Sequence, residues 1–361
     1  MMRNDSDTQA ARRRDAPATP DDLAAPDDRA TPDDRATPHD LATPHDLATR
    51  DDLAAPDDVA GRDELVAGAR LAGAPISWGV CEVPGWGRML PVERVFAEMA
   101  QLGLTATELG PIGYLPFDPQ AIREALDRHG LRLVGGFVPL VLHRTTLDTA
   151  EAERVASVLA AAGAGTFNAA IVADEDWSAP VPLDDDAWRR LARHLHEVER
   201  RVEQHGLTLA LHPHVGTQVE TAEDVNRALE LTDVGWCLDT GHLLIGGVDP
   251  AEFARRHGER VVHVHLKDVD ATIANRLRKG EHTLMEAVQA GLFRPLGQGD
   301  VRLDEVLDGL DGYDRWLVLE QDTAITGEEP PVGSGPVIDV RTSIEYLHSL
   351  APARRERVAE P

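Results

Sequence analysis

Thr208–Asp268 reads TLALHPHVGTQVETAEDVNRALELTDVGWCLDTGHLLIGGVDPAEFARRHGERVVHVHLKD, and this stretch decides the fold. Three short apolar runs, Thr208–His212, Gly235–Asp239 and Val261–Lys267, are separated by segments of helical spacing at Ala222–Leu231 and Pro250–His257. Strand-like runs that alternate with helices give a parallel sheet with helices outside it. The same texture continues on both sides. Ala74–Trp78, Thr105–Leu109, Arg132–Val138 and Thr166–Val172 upstream, and Trp316–Glu320 downstream, bring the candidate strands to eight. Val92–Leu102, Pro119–His129, Thr149–Ala162 and Ala187–His205 are the upstream helices, and Val340–Leu350 is the last. Helix ends are marked by Gly103, Gly130, Gly163, Gly206 and Gly258. Eight strands fit a single closed (β/α)8 TIM barrel, an α/β fold. An open doubly wound sheet often carries a Gly-rich phosphate turn after its first strand, whereas here Gly85-Trp86-Gly87 lies in a Pro-containing loop with no GxGxxG.

The barrel is expected over residues 69–352. Residues 18 to 59 are seven hexads of the form ATPDDL, with prolines at Pro20, Pro26, Pro32, Pro38 and Pro44 and one sizeable apolar residue per repeat. A period of six matches neither helix nor strand, so a disordered low-complexity tail is expected over 1–68. A short disordered C-terminus is expected over 353–361. The 361 residues include 36 Lys+Arg against 63 Asp+Glu, a net charge of -27, which argues against a nucleic-acid partner because phosphate affinity is built from clustered cations. No apolar run approaches roughly 18 residues, which excludes a membrane-spanning helix. Cys81 and Cys237 make no disulfide framework, and the N-terminus lacks an apolar signal segment, so the cytoplasm is the expected location.

In a barrel of this type, chemistry sits at the C-terminal ends of the strands. Strand five ends His212-Pro213-His214, strand six Asp239-Thr240-Gly241-His242, strand seven His263-Val264-His265-Leu266-Lys267-Asp268, and strand eight Glu320-Gln321-Asp322. Each run puts an imidazole or carboxylate at one mouth, and such a mixed N/O set suits one borderline divalent ion. Alternation puts His263, His265 and Lys267 on one face, with His265 the better ligand and His263 deeper. Asp239 is the strand-six ligand, and His242, in the loop, touches substrate or orients a ligand.

These segments resemble the xylose-isomerase-like TIM-barrel superfamily of sugar isomerases and epimerases, over about Ala72 to Leu350. LALHPHVGT (Leu209–Thr217), CLDTGH (Cys237–His242), HVHLKD (His263–Asp268) and LEQD (Leu319–Asp322) carry the resemblance. It implies a divalent metal, Mn²⁺ or Co²⁺ with Fe²⁺ and Zn²⁺ as alternatives, held by His212, Asp239, His265 and Glu320. It also implies a small polyhydroxy ketone or cyclitol substrate and, at the level of the family, a homodimer. Isomerases of this group use two metal-bound glutamates as opposed proton carriers, and the first of those positions here is His212. The HxHxGT form of His212–Thr217, with PISWGVCEVPGWG and the TELG of Thr107–Gly110, is similar to the inosose dehydratases, although Gly79-Val80-Cys81-Glu82 replaces their usual Asn-Asp pair.

The resemblance implies metal-dependent loss of water from a keto-cyclitol such as 2-keto-myo-inositol, in inositol catabolism; the alternative is a ketose isomerase or 3-epimerase working through an enediolate. Candidate proton carriers are Glu320, Glu108, His214, His242 and Lys267, within reach of a mouth-bound metal. Glu108 faces the pocket if its strand keeps barrel alternation; otherwise it partners Arg88 or a loop amide. Lys267 either polarises a substrate oxygen or pairs with Asp268 or Asp239. Trp78 and Phe137 are candidates for an apolar wall against a substrate ring. Cys81 has no adjacent base and is not expected to be a nucleophile. Glu328–Pro336 is a lid or an ordinary loop.

Overall fold

The structure, a computed structural model, describes residues 70–358. The hexad repeats lie outside the described residues. The chain runs β1 (Arg70–Gly73), α1 (Val92–Gln101), β2 (Ala106–Thr107), α2 (Pro119–Asp127), β3 (Arg132–Leu133), β4 (Gly135–Leu140), α3 (Ala150–Ala162), β5 (Thr166–Ile171), α4 (Asp185–Gln204), β6 (Thr208–Leu211), α5 (Ala222–Leu231), β7 (Gly235–Asp239), α6 (Thr240–Gly246), α7 (Pro250–His257), β8 (Val261–Leu266), β9 (Asp268–Val269), α8 (Ala271–Arg278), α9 (Leu284–Gln289), β10 (Phe293–Arg294), α10 (Leu303–Asp308), β11 (Trp316–Leu319) and α11 (Pro336–Val358).

Nine parallel segments form one sheet in the order β3-β2-β1-β11-β8-β7-β6-β5-β4. β3 and β4 are two halves of one strand interrupted at Val134, so the two ends of the sheet meet there and the barrel closes. The Val134 N–H donates to the Thr107 carbonyl (3.0 Å) on one side, and its own carbonyl accepts the Thr166 N–H (3.1 Å) on the other. The interruption also shifts the side-chain phase. Val134 packs inside with Ala72, Ala106 and Val318, yet Phe137, three residues on, also faces inward against His212 at 5.5 Å between ring centroids. Strict alternation would have turned Phe137 outward.

Strand β5 is buried along its whole length, as expected where helices cover the outside and side chains fill the inside. Helix α4 covers part of that outside with Trp188, Leu191, Leu195, Val198 and Val202 at helical spacing, each contributing about 1.5–3 kcal/mol on burial. Its start is fixed by Asp184, which accepts the Ala187 N–H at 2.7 Å.

The first strand lies four residues earlier than the sequence suggests. Arg70–Gly73 pairs with Trp316–Leu319, whereas Pro75, which has no N–H for a ladder, opens a 3-10 turn over Pro75–Trp78. Gly258 is not a left-handed helix end. Its φ is -55°, and the Gly309 carbonyl oxygen lies 2.7 Å from where a Cβ would sit, so close approach explains the glycine. Helix α11 begins at Pro336, a residue suited to a first turn, and runs to Val358, beyond the expected boundaries at Val340 and 352. The Glu328–Pro336 segment is fastened to α1: Arg94 donates to the carbonyls of Pro330 (2.6 Å) and Pro331 (3.0 Å), and the Gly333 N–H to Glu98 Oε1 (3.1 Å).

Candidate metal centre and active site

Period-two alternation stacks the inward side chains in layers. Above the apolar layer of Ala72, Ala106, Val134 and Val318 lie Glu108, Asn168 and His263; above these are His212, Asp239, His265 and Glu320; and Lys267 and Asp322 continue the same faces of β8 and β11. All nine of these polar residues are buried.

The DTGH motif places its residues by doing two things at once. Asp239 ends β7 and caps α6: its Oδ1 accepts the His242 N–H at 2.8 Å. Its Oδ2 is left facing His212 Nε2 and His265 Nδ1, each at 3.3 Å, and Lys267 Nζ at 3.5 Å. The Thr240 hydroxyl donates to the Lys267 carbonyl (2.6 Å) and ties α6 to the end of β8. At Gly241 a Cβ would come within 2.8 Å of the Lys267 Cβ, so glycine gives the lysine its room. Asp268 of HLKD is not the partner of Lys267. Its carboxylate accepts N–H groups from Val269, Gly297, Gly299 and Val301, which fixes the loop that follows β10.

Glu320 completes the cluster from β11, with Oε2 2.7 Å from His265 Nδ1 and Oε1 3.0 Å from Lys267 Nζ. Burial works to raise its carboxyl, but His265 and Lys267 outweigh burial and hold it at about 2. Burial opposes ionisation of Asp239 too, and the Lys267 ammonium is the largest influence that keeps it well below the usual range. For His265, desolvation lowers the pKa while Cys237, Glu320 and Glu108 raise it well above 6.5. Burial pushes the Cys237 thiol up to about 11, so it is uncharged at neutral pH and the carboxylates carry the shift. The donor atoms of Asp239, His265 and Glu320 lie within 4.8 Å of one another, as do those of His212, Asp239 and His242.

A divalent ion fits these residues. Two carboxylates and two imidazoles converge without hydrogen bonds enough to satisfy them: Glu320 Oε2 is buried without a hydrogen-bond partner, its 2.7 Å approach to His265 being misaligned for one, and Asp239 Oδ2 meets both imidazoles only at 3.3 Å. Lys267 is the one ammonium among them. It is buried against desolvation, but Asp239, Asp322 and Glu320 hold its pKa well above the usual lysine value.

The structure brings His214 and His242 together, ring centroids 3.8 Å apart. Burial is the main cause that lowers both, His214 to about 3, so both are neutral at physiological pH. His214 Nδ1 bonds the Val215 carbonyl at 2.7 Å. His242 Nε2 accepts from Lys267 Nζ at 3.1 Å, as a neutral imidazole can. Phe137 stacks on Trp177 at 5.9 Å, and His214 packs against both.

Trp78 is not brought to the mouth: its indole N–H donates to Glu98 of α1 at 2.9 Å, within the barrel-to-helix layer. Glu108 points inward as alternation requires, but its partners are His263, His265 and Asn168 rather than Arg88 or a loop amide. Cys81 is inert, burial pushing its thiol up to about 12. Sequence reasoning missed Asp322 and Trp177. Asp322 Oδ1 lies 2.8 Å from Lys267 Nζ, and burial pushes its carboxyl up to about 6; the alternation used for β8 would have found it, because Glu320 and Asp322 are two apart. Trp177 has no sequence signal. It is 43% exposed and is the one non-glycine with positive φ, 57°, among the described residues.

The sequence profile of the xylose isomerase-like TIM barrel matches residues 96–347, and the chain belongs to that family. The rhizopine catabolism protein MocC of Rhizobium meliloti is 32% identical over 304 residues, 80% of this chain and 91% of that protein. An inosose dehydratase of Geobacillus kaustophilus is 31% identical over 308 residues, 79% of this chain and 97% of its own length. Among solved structures, the IolI protein with a bound zinc atom superposes with a TM-score of 0.57 at 15% identity, over 78% of this chain and 98% of that one. The chain is therefore a barrel of the xylose isomerase-like family, similar in sequence to inosose dehydratases and in fold to an L-ribulose 3-epimerase.

Proposed function

We propose that the protein is a divalent-metal-dependent lyase that removes water from a keto-cyclitol such as 2-keto-myo-inositol. The observation that carries this reading is the convergence of His212, Asp239, His265 and Glu320 from four successive strands beside the buried Lys267. The relative named inosose dehydratase, matched over nearly its full length, supports the substrate class. That the IolI protein, which shares the fold, binds zinc supports a metal as a cofactor of this barrel. Mn²⁺ and Co²⁺ suit the mixed N/O donors, as do Fe²⁺ and Zn²⁺. When bound, the ion supplies Lewis-acid stabilisation of the negative charge that develops on the substrate carbonyl oxygen.

The chain's own groups then have to move protons. The reaction takes a proton from the carbon α to the carbonyl, breaks the C–O bond at the β position, and delivers a proton to the departing hydroxide; the enol formed takes up a proton at carbon and releases its hydroxyl proton to become a diketone. His214, neutral and fixed through Nδ1, offers Nε2 as the acceptor of the α-proton. Lys267, fully protonated, is the donor to the leaving oxygen and regains a proton from solvent, to which His214 gives up the one it took, while the Asp322 carboxylate at 2.8 Å holds the ammonium in place. His242 lies between the two and aligns the ammonium. Phe137 and Trp177 form the apolar wall along the carbon face of the ring. Positioned acid and base groups contribute roughly 10²–10⁴-fold each.

A ketose isomerase or 3-epimerase uses the same metal and the same α-proton, and differs in returning the proton without losing the hydroxyl. His212, where such enzymes carry the first of their two metal-bound glutamates, favours the lyase. Proton NMR of 2-keto-myo-inositol in D₂O with Mn²⁺ or Co²⁺, beside an EDTA control, separates the two. Metal-dependent formation of the dehydrated diketone is expected. An isomer or α-proton exchange alone selects the epimerase reading, and an unchanged spectrum rejects the cyclitol substrate.

A further inference from the structure

We infer that Glu108 is a positioning residue that fixes His265 as an Nδ1 metal ligand, through a carboxylate–imidazole–metal chain running down the barrel axis; this rests on the metal reading above. The two nitrogens of His265 face different layers. Nδ1 points to Glu320 Oε2 (2.7 Å) and Asp239 Oδ2 (3.3 Å). Nε2 lies 3.0 Å from Glu108 Oε1, one layer deeper. A carboxylate can only accept, so this contact keeps a proton on Nε2 and makes Nδ1, at the mouth, the nitrogen that gives up its proton to a metal.

Glu108 is itself held. The same Oε1 accepts from His263 Nε2 at 2.8 Å and from Asn168 Nδ2 at 2.7 Å, so three donors from β5 and β8 fix one oxygen. This gives the deep His263 a role: it orients the residue that orients the ligand. Glu108, His263 and His265 also have the spacing of a second metal triad. The Asn168 amide speaks against that use, because its N–H group points at the same Glu108 Oε1 that both imidazoles face, and a cation held there would lie against that N–H.

The test uses the full-length chain and Zn²⁺ as the probe. Glu108→Gln should weaken Zn²⁺ binding about 10–100-fold, beyond any change in the metal-free melting temperature, and binding should remain at one ion per chain. Histidine ¹⁵N NMR of the zinc-loaded wild type reads the tautomer without any variant and should show His265 protonated at Nε2 and metal-bound at Nδ1. Wild-type affinity in Glu108→Gln, or zinc on Nε2, overturns the inference. So do two ions in the wild type and one in the variant, which would make the deep triad a metal site. No Zn²⁺ binding by the wild type would instead remove the metal reading on which the inference stands.

Discussion

Asp239 Oδ1 accepts the backbone N–H of His242 at 2.8 Å while Oδ2 faces His212 and His265, so one carboxylate both starts α6 and belongs to the proposed metal cluster. The two roles are separable. Asp239→Asn keeps an oxygen for the cap and should lose the metal; Asp239→Ala loses both and should be about 0.5–2 kcal/mol less stable than the asparagine variant in metal-free buffer. Urea unfolding of the two variants with EDTA measures the difference, and equal stabilities would show that the cap contributes nothing.

Lys267 neutralises Asp239, Glu320 and Asp322 inside the barrel. Its replacement in Lys267→Met leaves buried carboxylates unpaired and is expected to cost about 3–5 kcal/mol. A divalent ion should recover part of that loss by supplying the missing positive charge. Thermal melts with and without Mn²⁺ test this, and a variant as stable as wild type in EDTA would contradict it.

The carboxylates around His265 keep it protonated well above 6.5 in the metal-free chain. That proton contributes stability fully present below about pH 6.5, the unfolded value, and lost as pH rises through the folded value. Metal binding requires the Nδ1 lone pair and so expels the proton. Affinity should strengthen about tenfold per pH unit while His265 remains protonated. Calorimetric titrations in buffers of differing ionisation heat count the protons released; one is expected, and none would mean that His265 stays out of the ligand set.

Gly241→Ala drives a methyl to within 2.8 Å of the Lys267 Cβ and 3.0 Å of Phe293. Overpacking here should cost about 1–3 kcal/mol, and it should lower turnover further by displacing the ammonium from Glu320 and Asp322. Unfolding midpoints alongside rate measurements separate the two effects. Turnover equal to wild type would show that the position of Lys267 is not critical.

Much of this arrangement was legible in the sequence because a barrel strand has a period of two. His263, His265 and Lys267 fall on one face of β8, and Asp239 at the end of β7, as the spacing predicts. The alternation failed where the backbone departs from a regular strand. Pro75 moved the first strand toward the N-terminus and sent Trp78 to the helix layer, and the break at Val134 is marked only by the Gly135-Gly136 that follows it. Helix α6 went unread because its first residues are the DTGH of the site itself, whose polar pattern reads as a loop. Partners across the barrel, such as Glu108 with His263 and Asn168, are 155 and 60 residues apart. Only the closed sheet sets which strands face each other, and local spacing carries no such information.

X-ray absorption of the zinc-loaded chain is the measurement that bears most directly on the metal centre. The account predicts one ion per chain with two imidazole nitrogens, from His212 and His265, at about 2.0–2.1 Å and the remaining ligands oxygen, with one nitrogen lost in His212→Ala. A shell without imidazole, or one unchanged in that variant, would contradict it.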